Sequence, residues 1–205
     1  PSQYKNEDIN EIKEFIRQNS FGILVSQVDG KPWATHIPLE LDTDENGADV
    51  IVSHIAKANP QWQHFSDTSE VLCIFNGPHS YVSSSWYQAE EVPTWNYIAV
   101  HVYGTLKIIE EQAVIASMHK LVDKYEQNSE CPISINNLSP KTMRQVKGVV
   151  GFQIKITDIQ ATKKLSQGRT EDHARIIEEL EKHDPKAIAV PKAMKTNGTR
   201  HGVYP

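Results

Sequence analysis

Only two cysteines, Cys73 and Cys131, occur in the 205 residues. They lie far apart and form no CxxC, so the sequence encodes neither a disulfide framework nor a thiolate zinc site. A reduced, cytoplasmic protein is the expectation. No apolar run approaches the ~20 residues needed to cross a bilayer, and no basic-then-apolar leader opens the chain. The chain starts at Pro1 rather than Met, which points to a few residues missing ahead of it. Positive charge is also scarce: 21 Lys and Arg against 26 Asp and Glu leave a net charge of −5. Dedicated nucleic-acid binders neutralise phosphates with a basic face, so this balance argues against one, although a dimer can gather positive groups locally. HExxH, GxSxG and Walker signatures are absent. The nine histidines build no ligand set, because His36, His54, His79 and His101 fall on separate strands or strand ends.

What is there suits a soluble globular chain: 39% hydrophobic and 23% charged residues. Asp8 and Glu11 have the spacing of a capping box. Ile9, Ile12, Phe15 and Ile16 follow as a helical stripe that ends near Asn19. Strands are predicted over 21–28 and 31–39, joined by a hairpin turn at Asp29-Gly30. Pro32 and Pro38 sit near the ends of the return strand, where a lost donor costs least. A polar loop follows over 42–47, then a short strand over 50–53 and a helix over 58–65 with Asn59-Pro60 in its first turn. Further strands are expected over 71–75 and 80–86, broken by Gly77-Pro78, and over 95–109. A helix over 110–126 precedes a last strand over 148–159, where Val150, Phe152, Ile154 and Ile156 alternate. Thr170-Glu171 opens a terminal helix with Ile176, Ile177 and Leu180 on its apolar side. Periodicity fades after Asp184-Pro185. Residues 1–182 therefore read as one domain with terminal helices, and 183–205 as a mobile tail. A tight hairpin forces antiparallel neighbours, so short strands with helices between them predict a mainly β, α+β antiparallel barrel rather than βαβ units.

Two stretches carry candidate chemistry. In the first, Ser53-His54 and Lys57 lead from a strand end into the segment at Asn59-Pro60. Free amides at a helix start attract anions, and Lys57 adds the full charge that a phosphate needs. The competing reading is a surface lysine before a helix. In the second, Pro93-Thr94-Trp95-Asn96-Tyr97 combines aromatic and amide groups able to face a flat heterocycle; an aromatic strand in the core is the competing reading. Cys73 lies in an apolar strand and is expected to be buried and inert. Lys163, Lys164 and Arg169 make a small basic cluster.

Several strings in order then resemble one family. They are Asn19-Ser20-Phe21-Gly22 with Leu24-Val25-Ser26, Ala34-Thr35-His36-Ile37-Pro38, and His54-Ile55-Ala56-Lys57-Ala58-Asn59-Pro60-Gln61-Trp62. Phe75-Asn76-Gly77-Pro78-His79, Ser85-Trp86-Tyr87, Val92-Pro93-Thr94-Trp95-Asn96-Tyr97 and Val100-His101-Val102-Tyr103-Gly104 follow, and the set closes with Gly148-Val149-Val150-Gly151-Phe152 and Lys164-Leu165-Ser166-Gln167. Over residues 1–180 the chain resembles the PaiB-type FMN-binding negative transcriptional regulators. The resemblance implies a six-stranded Greek-key split β-barrel with flanking helices, akin to pyridoxamine-phosphate-oxidase-like proteins. It also implies a homodimer with FMN in the cleft between subunits. By the same resemblance Ser53, His54, Lys57 and Asn59 belong to the phosphate segment, and Thr35, His36 and Ile37 to the strand beside the flavin ring. Trp95 and Asn96 would come from the second subunit. Ser166 and Gln167 belong to a motif that usually continues with Asn. Gly168 stands there instead, and Arg169 is the residue placed to compensate. The family's role is repression of genes for degradative enzymes and sporulation, through DNA or a protein partner. A flavin-dependent oxidoreductase acting on a small substrate is the alternative, since one fold hosts both roles. A haem-binding split-barrel protein is the third option.

Overall fold

Asp8 starts the first long helix as its spacing predicts. In the computed structural model, which describes residues 2–183 and 189–200, Asp8 Oδ1 accepts the amides of Asn10 and Glu11 at 3.0 and 3.1 Å. Those donors would otherwise be orphaned at a helix start. A two-residue strand β1 (Lys5–Asn6) precedes this helix α1 (Ile9–Gln18). The hairpin comes next. Asp29 and Gly30 adopt φ of 50° and 74°, and two successive left-handed residues give the turn whose twist suits paired strands. Strands β2 (Phe21–Val28) and β3 (Lys31–Pro38) are thereby locked antiparallel, Val28 opposite Lys31 and Phe21 opposite Pro38.

The chain continues through β4 (Glu40–Thr43), β5 (Asp49–Ala56), β6 (Glu70–Val82), β7 (Thr94–Ile108), α2 (Glu111–Glu126), α3 (Pro140–Met143), β8 (Val149–Lys164), α4 (His173–His183) and α5 (Ala189–Arg200). Hydrogen bonding orders the sheet β3-β2-β6-β7-β8-β5-β4, with β1 paired to β8. The described residues thus form a mainly antiparallel α+β structure of eight strands, and the hydrogen-bonded path is open at β3 and β4. The strands expected from the sequence did not include β1 and β4. Lys-Asn and Glu-Leu-Asp-Thr carry no legible apolar alternation; β4 exists because Glu40 pairs with Val52 and Thr43 with Asp49 on β5.

Packing divides the chain into two compact units. One contains Lys13–Phe75 and His101–Ile159; the other contains Pro1–Ile12, Asn76–Val100 and the described part of Gln160–Pro205. In the first, Leu24, Leu39, Ile51, Phe75, Leu106, Phe152 and Ile154 are fully buried. Phe65 meets Phe152 edge-on at 5.2 Å. Gly104 on β7 lies so close to β8 that a Cβ there would stand 2.3 Å from the Lys155 carbonyl oxygen. Cys73 is buried, and burial pushes its thiol far above the usual range, whereas Cys131 is exposed. In the second unit, Val82, Tyr87, Leu165, Ile176, Leu180, Val190 and Met194 pack together.

Three local expectations change. Gly77-Pro78 does not break a strand: β6 runs through it, since proline's fixed φ is compatible with extended backbone and costs only one donor. The helix expected over 58–65 is a five-residue 3-10 turn, Pro60–His64. The expected tail contains α5, whose Val190 and Met194 are buried against α4 residues Ile176 and Leu180. Its apolar positions are too few for periodicity to declare a helix; packing supplies the stability. The rest of that stretch, 184–188 and 201–205, lies outside the described residues.

Candidate cofactor site

β5 pairs with β8 down to Ala56 opposite Val149, and the chain then leaves the ladder at Lys57. Both backbone groups of Lys57 are fixed. Its N–H donates to the Gly148 carbonyl at 2.9 Å, and its carbonyl accepts the Trp62 indole Nε1–H at 3.0 Å. The side chain is exposed and makes no ion pair among the described residues. It lines a cavity of about 460 Å³ with Lys147, Glu111, Val114 and Gly151.

A polar network holds the turn that follows. Asn59 Oδ1 accepts the Gln61 amide at 3.0 Å, and Asn59 Nδ2 donates to Thr35 Oγ1 at 2.9 Å. Thr35 Oγ1 donates to Gln61 Oε1 at 2.6 Å. Gln61 is fully buried, and its Nε2 donates to Ser26 Oγ at 2.9 Å and to the Trp33 carbonyl at 3.3 Å. Every polar atom of the Gln61 side chain has a partner, as burial demands. The network fastens the Asn-Pro-Gln-Trp turn to β2 and β3, so Thr35 and Asn59 serve to place Lys57.

The neighbouring candidates divide by exposure. Ser53 is buried, and its hydroxyl donates to the Pro38 carbonyl. His54 is half-buried, and desolvation holds its imidazole below the ordinary histidine range. It borders cavities of about 220 and 350 Å³. On the edge strand β3, Ile37 is half-buried and His36 is exposed, its ring 6.5 Å from that of Phe21. His36, Ile37 and Lys57 therefore have the freest side chains in this unit's set.

The other five expected residues lie in the second compact unit. Trp95 is 52% exposed, with its ring 5.7 Å from His79 and 6.1 Å from Tyr81. Asn96 is 0% exposed. Its Oδ1 accepts Ser166 Oγ–H at 3.0 Å, and its Nδ2 donates to Met194 Sδ at 3.5 Å. Ser166 has φ of 60°, a left-handed conformation that a non-glycine residue keeps only when its surroundings impose it. Gln167 turns back on its own chain, accepting the Leu165 amide at 2.8 Å and donating to the Lys163 carbonyl. Arg169 lies over the Tyr87 ring at 4.1 Å and pairs with Glu91 at 3.4 Å. Of these five, only Trp95 presents an open face.

Sequence reasoning missed Gln61 and Lys147. Gln61 lies within the stretch from His54 to Trp62, and a glutamine directly after Asn-Pro at a strand-to-helix junction is its only signal. Lys147 has no local signal, because only the pairing of Ala56 with Val149 brings its segment beside Lys57.

A family described as "Putative FMN-binding domain" matches residues 1–158. The protease synthase and sporulation protein PAI 2 of Bacillus subtilis (strain 168) is 42% identical over 198 residues, 95% of each chain. The FAD and heme binding protein from Mycobacterium smegmatis superposes with a TM-score of 0.62 at 14% identity, covering 83% of this chain and 79% of its own. The flavocytochrome Anf3 from Azotobacter vinelandii gives 0.62 at 13% identity, with 84% and 75% covered. At such identities the two solved structures speak for the fold alone.

Proposed function

The chain belongs to this FMN-binding domain family, and we propose that it is a PaiB-type flavoprotein whose Lys57 holds the FMN phosphate. The observation that carries the proposal is the Lys57 clamp. Two backbone hydrogen bonds and the Gln61 network fix the main chain, while the ammonium has no counter-ion among the described residues. An unpaired, well-placed cation suits a phosphate dianion. The residues present therefore fit FMN. The bound flavin would supply the redox chemistry, and the protein's share is to bind and orient it. β3 would offer His36 and Ile37 beside the ring.

The longer strands, β2, β3, β5, β6, β7 and β8, correspond in this reading to a six-stranded Greek-key split barrel, with β1 and β4 as additions. A flat heterocycle needs a second wall, and the exposed Trp95, flanked by His79 and Tyr81, is an aromatic surface of that kind. A homodimer in which Trp95 of the partner subunit covers the flavin is the assembly proposed. A 23.2 kDa monomer by light scattering at micromolar concentration contradicts it.

Lys57→Ala is expected to weaken FMN binding by about 1.5–3 kcal/mol, the worth of a charge-assisted hydrogen bond, and to leave riboflavin nearly untouched. Flavin fluorescence titration reads both ligands, and equal losses remove Lys57 from the phosphate.

The proposed role is negative regulation of genes for degradative enzymes and sporulation, in the cytoplasm, working through the flavin or a protein partner. A net charge of −5 disfavours tight autonomous DNA binding; a nanomolar operator complex at physiological salt would overturn that route. A flavin-dependent oxidoreductase is the second reading, favoured by the exposed imidazole of His36 on β3, a group able to deliver a proton. Steady NAD(P)H oxidation by the yellow protein would select it.

A further inference from the structure

Lys57 does not stand alone in its cavity. Lys147 lines the same space of about 460 Å³ and is likewise exposed, with no ion pair among the described residues. Its position is fixed through the backbone. Residues Arg144–Gly148 form a 3-10 turn closed by the Val149 amide on the Val146 carbonyl, and Gly148, the residue after Lys147, accepts the Lys57 N–H at 2.9 Å. Two ammonium-bearing residues thus emerge from backbone segments hydrogen-bonded to each other. The start of α2 borders the same space through Glu111 and Val114. Glu110 caps that helix with no side-chain hydrogen bond, so the first-turn amides have no cap from it. Glu111 supplies the one carboxylate of the lining.

An FMN phosphate carries close to two negative charges at neutral pH, and a single lysine leaves half of that uncompensated. Resting on the FMN reading above, we propose that Lys147 is the second cation of the phosphate site and that Glu111 opposes binding there. The phosphate sits between the two lysines, with the first turn of α2 and its Glu111 beside them. Affinity reflects two attractions and one repulsion, each through a side chain exposed enough to be replaced without disturbing the core.

The test uses flavin fluorescence titration of the full chain with FMN and with riboflavin, with thermal melts confirming that each variant folds. Lys147→Ala is expected to weaken FMN about 5- to 20-fold and riboflavin less than about 2-fold. Lys147→Arg is expected to keep most of the affinity. Glu111→Gln is expected to strengthen FMN about 2- to 5-fold at low salt, with the gain shrinking as salt screens it. A Lys147→Ala protein that binds FMN like wild type, or loses both ligands equally, overturns the proposal. If Lys57→Ala weakens FMN while Lys147→Ala does not, only this inference fails. A wild-type protein that binds no FMN defeats the reading it rests on as well. Inorganic phosphate competing with FMN in wild type, and competing less well in Lys147→Ala, would support the paired site.

Discussion

Gly104→Ala is expected to destabilise the protein by more than about 3 kcal/mol, the range of severe overpacking in a well-packed interior. The added Cβ would stand 2.3 Å from the Lys155 carbonyl oxygen and 2.6 Å from Ile154 Cγ2. The first is backbone, so no rotamer change relieves it, and β7 and β8 must separate locally. Ile154 is fully buried, which leaves no slack on the other side. The effect should also reach the site, because β8 is the strand against which β5 pairs as it leads into Lys57. Chemical denaturation checks the first part and FMN titration the second. A loss below about 1 kcal/mol would mean that the two strands yield far more easily than packed interiors do. Gly30→Ala is the control. Gly30 has open space around it but φ of 74°, so its cost should be only the modest strain of a left-handed alanine.

Gln61→Leu should cost about 2–4 kcal/mol and should weaken FMN binding through Lys57. Leucine fills the space but leaves Ser26 Oγ, the Trp33 carbonyl and Thr35 Oγ1 without their glutamine partner. Buried groups stripped of a partner pay their full desolvation. Urea unfolding should show a lower midpoint with an unchanged slope, the pattern of lost stability rather than altered compactness. Thr35→Val should give a milder version, since the Gln61 amide keeps its hydrogen bond to Asn59 Oδ1 at 3.0 Å. A Gln61→Leu protein as stable as wild type would show that the network positions nothing.

The fold was legible where residues act locally. Asp8 announced a helix start, Asp29-Gly30 a hairpin and its register, and alternation at Val150, Phe152 and Ile154 the last strand. Long-range packing was not legible. Nothing within Ala189–Arg200 advertises a helix; Val190 and Met194 matter because Ile176 and Leu180 lie against them. The candidate site divides along the same line. Lys57 was visible as a lysine entering a turn. That Ser53, Thr35 and Asn59 have their polar groups engaged by Pro38, Gln61 and each other depends on three strands meeting, and sequence spacing carries no record of that. The stretch around Asn96 read on its own residues more as core than as a ligand contact, and only the resemblance put Asn96 at the flavin; here its side chain is engaged by Ser166 and Met194.

The two compact units also differ in when synthesis can finish them. The unit of residues 13–75 and 101–159 has all its parts once residue 159 has left the ribosome. The other draws on 1–12, 76–100 and the stretch from 160 onward. Val82 and Tyr87 are made early, yet the residues that bury them, Leu165, Ile176, Leu180, Val190 and Met194, are translated about 80 to 110 residues later. A nascent chain therefore carries an unclothed apolar segment through much of its translation, which is the kind of exposure that chaperones meet. At the moment residue 159 clears the ribosome, the chain would display one finished half and one sticky apolar stretch awaiting its cover.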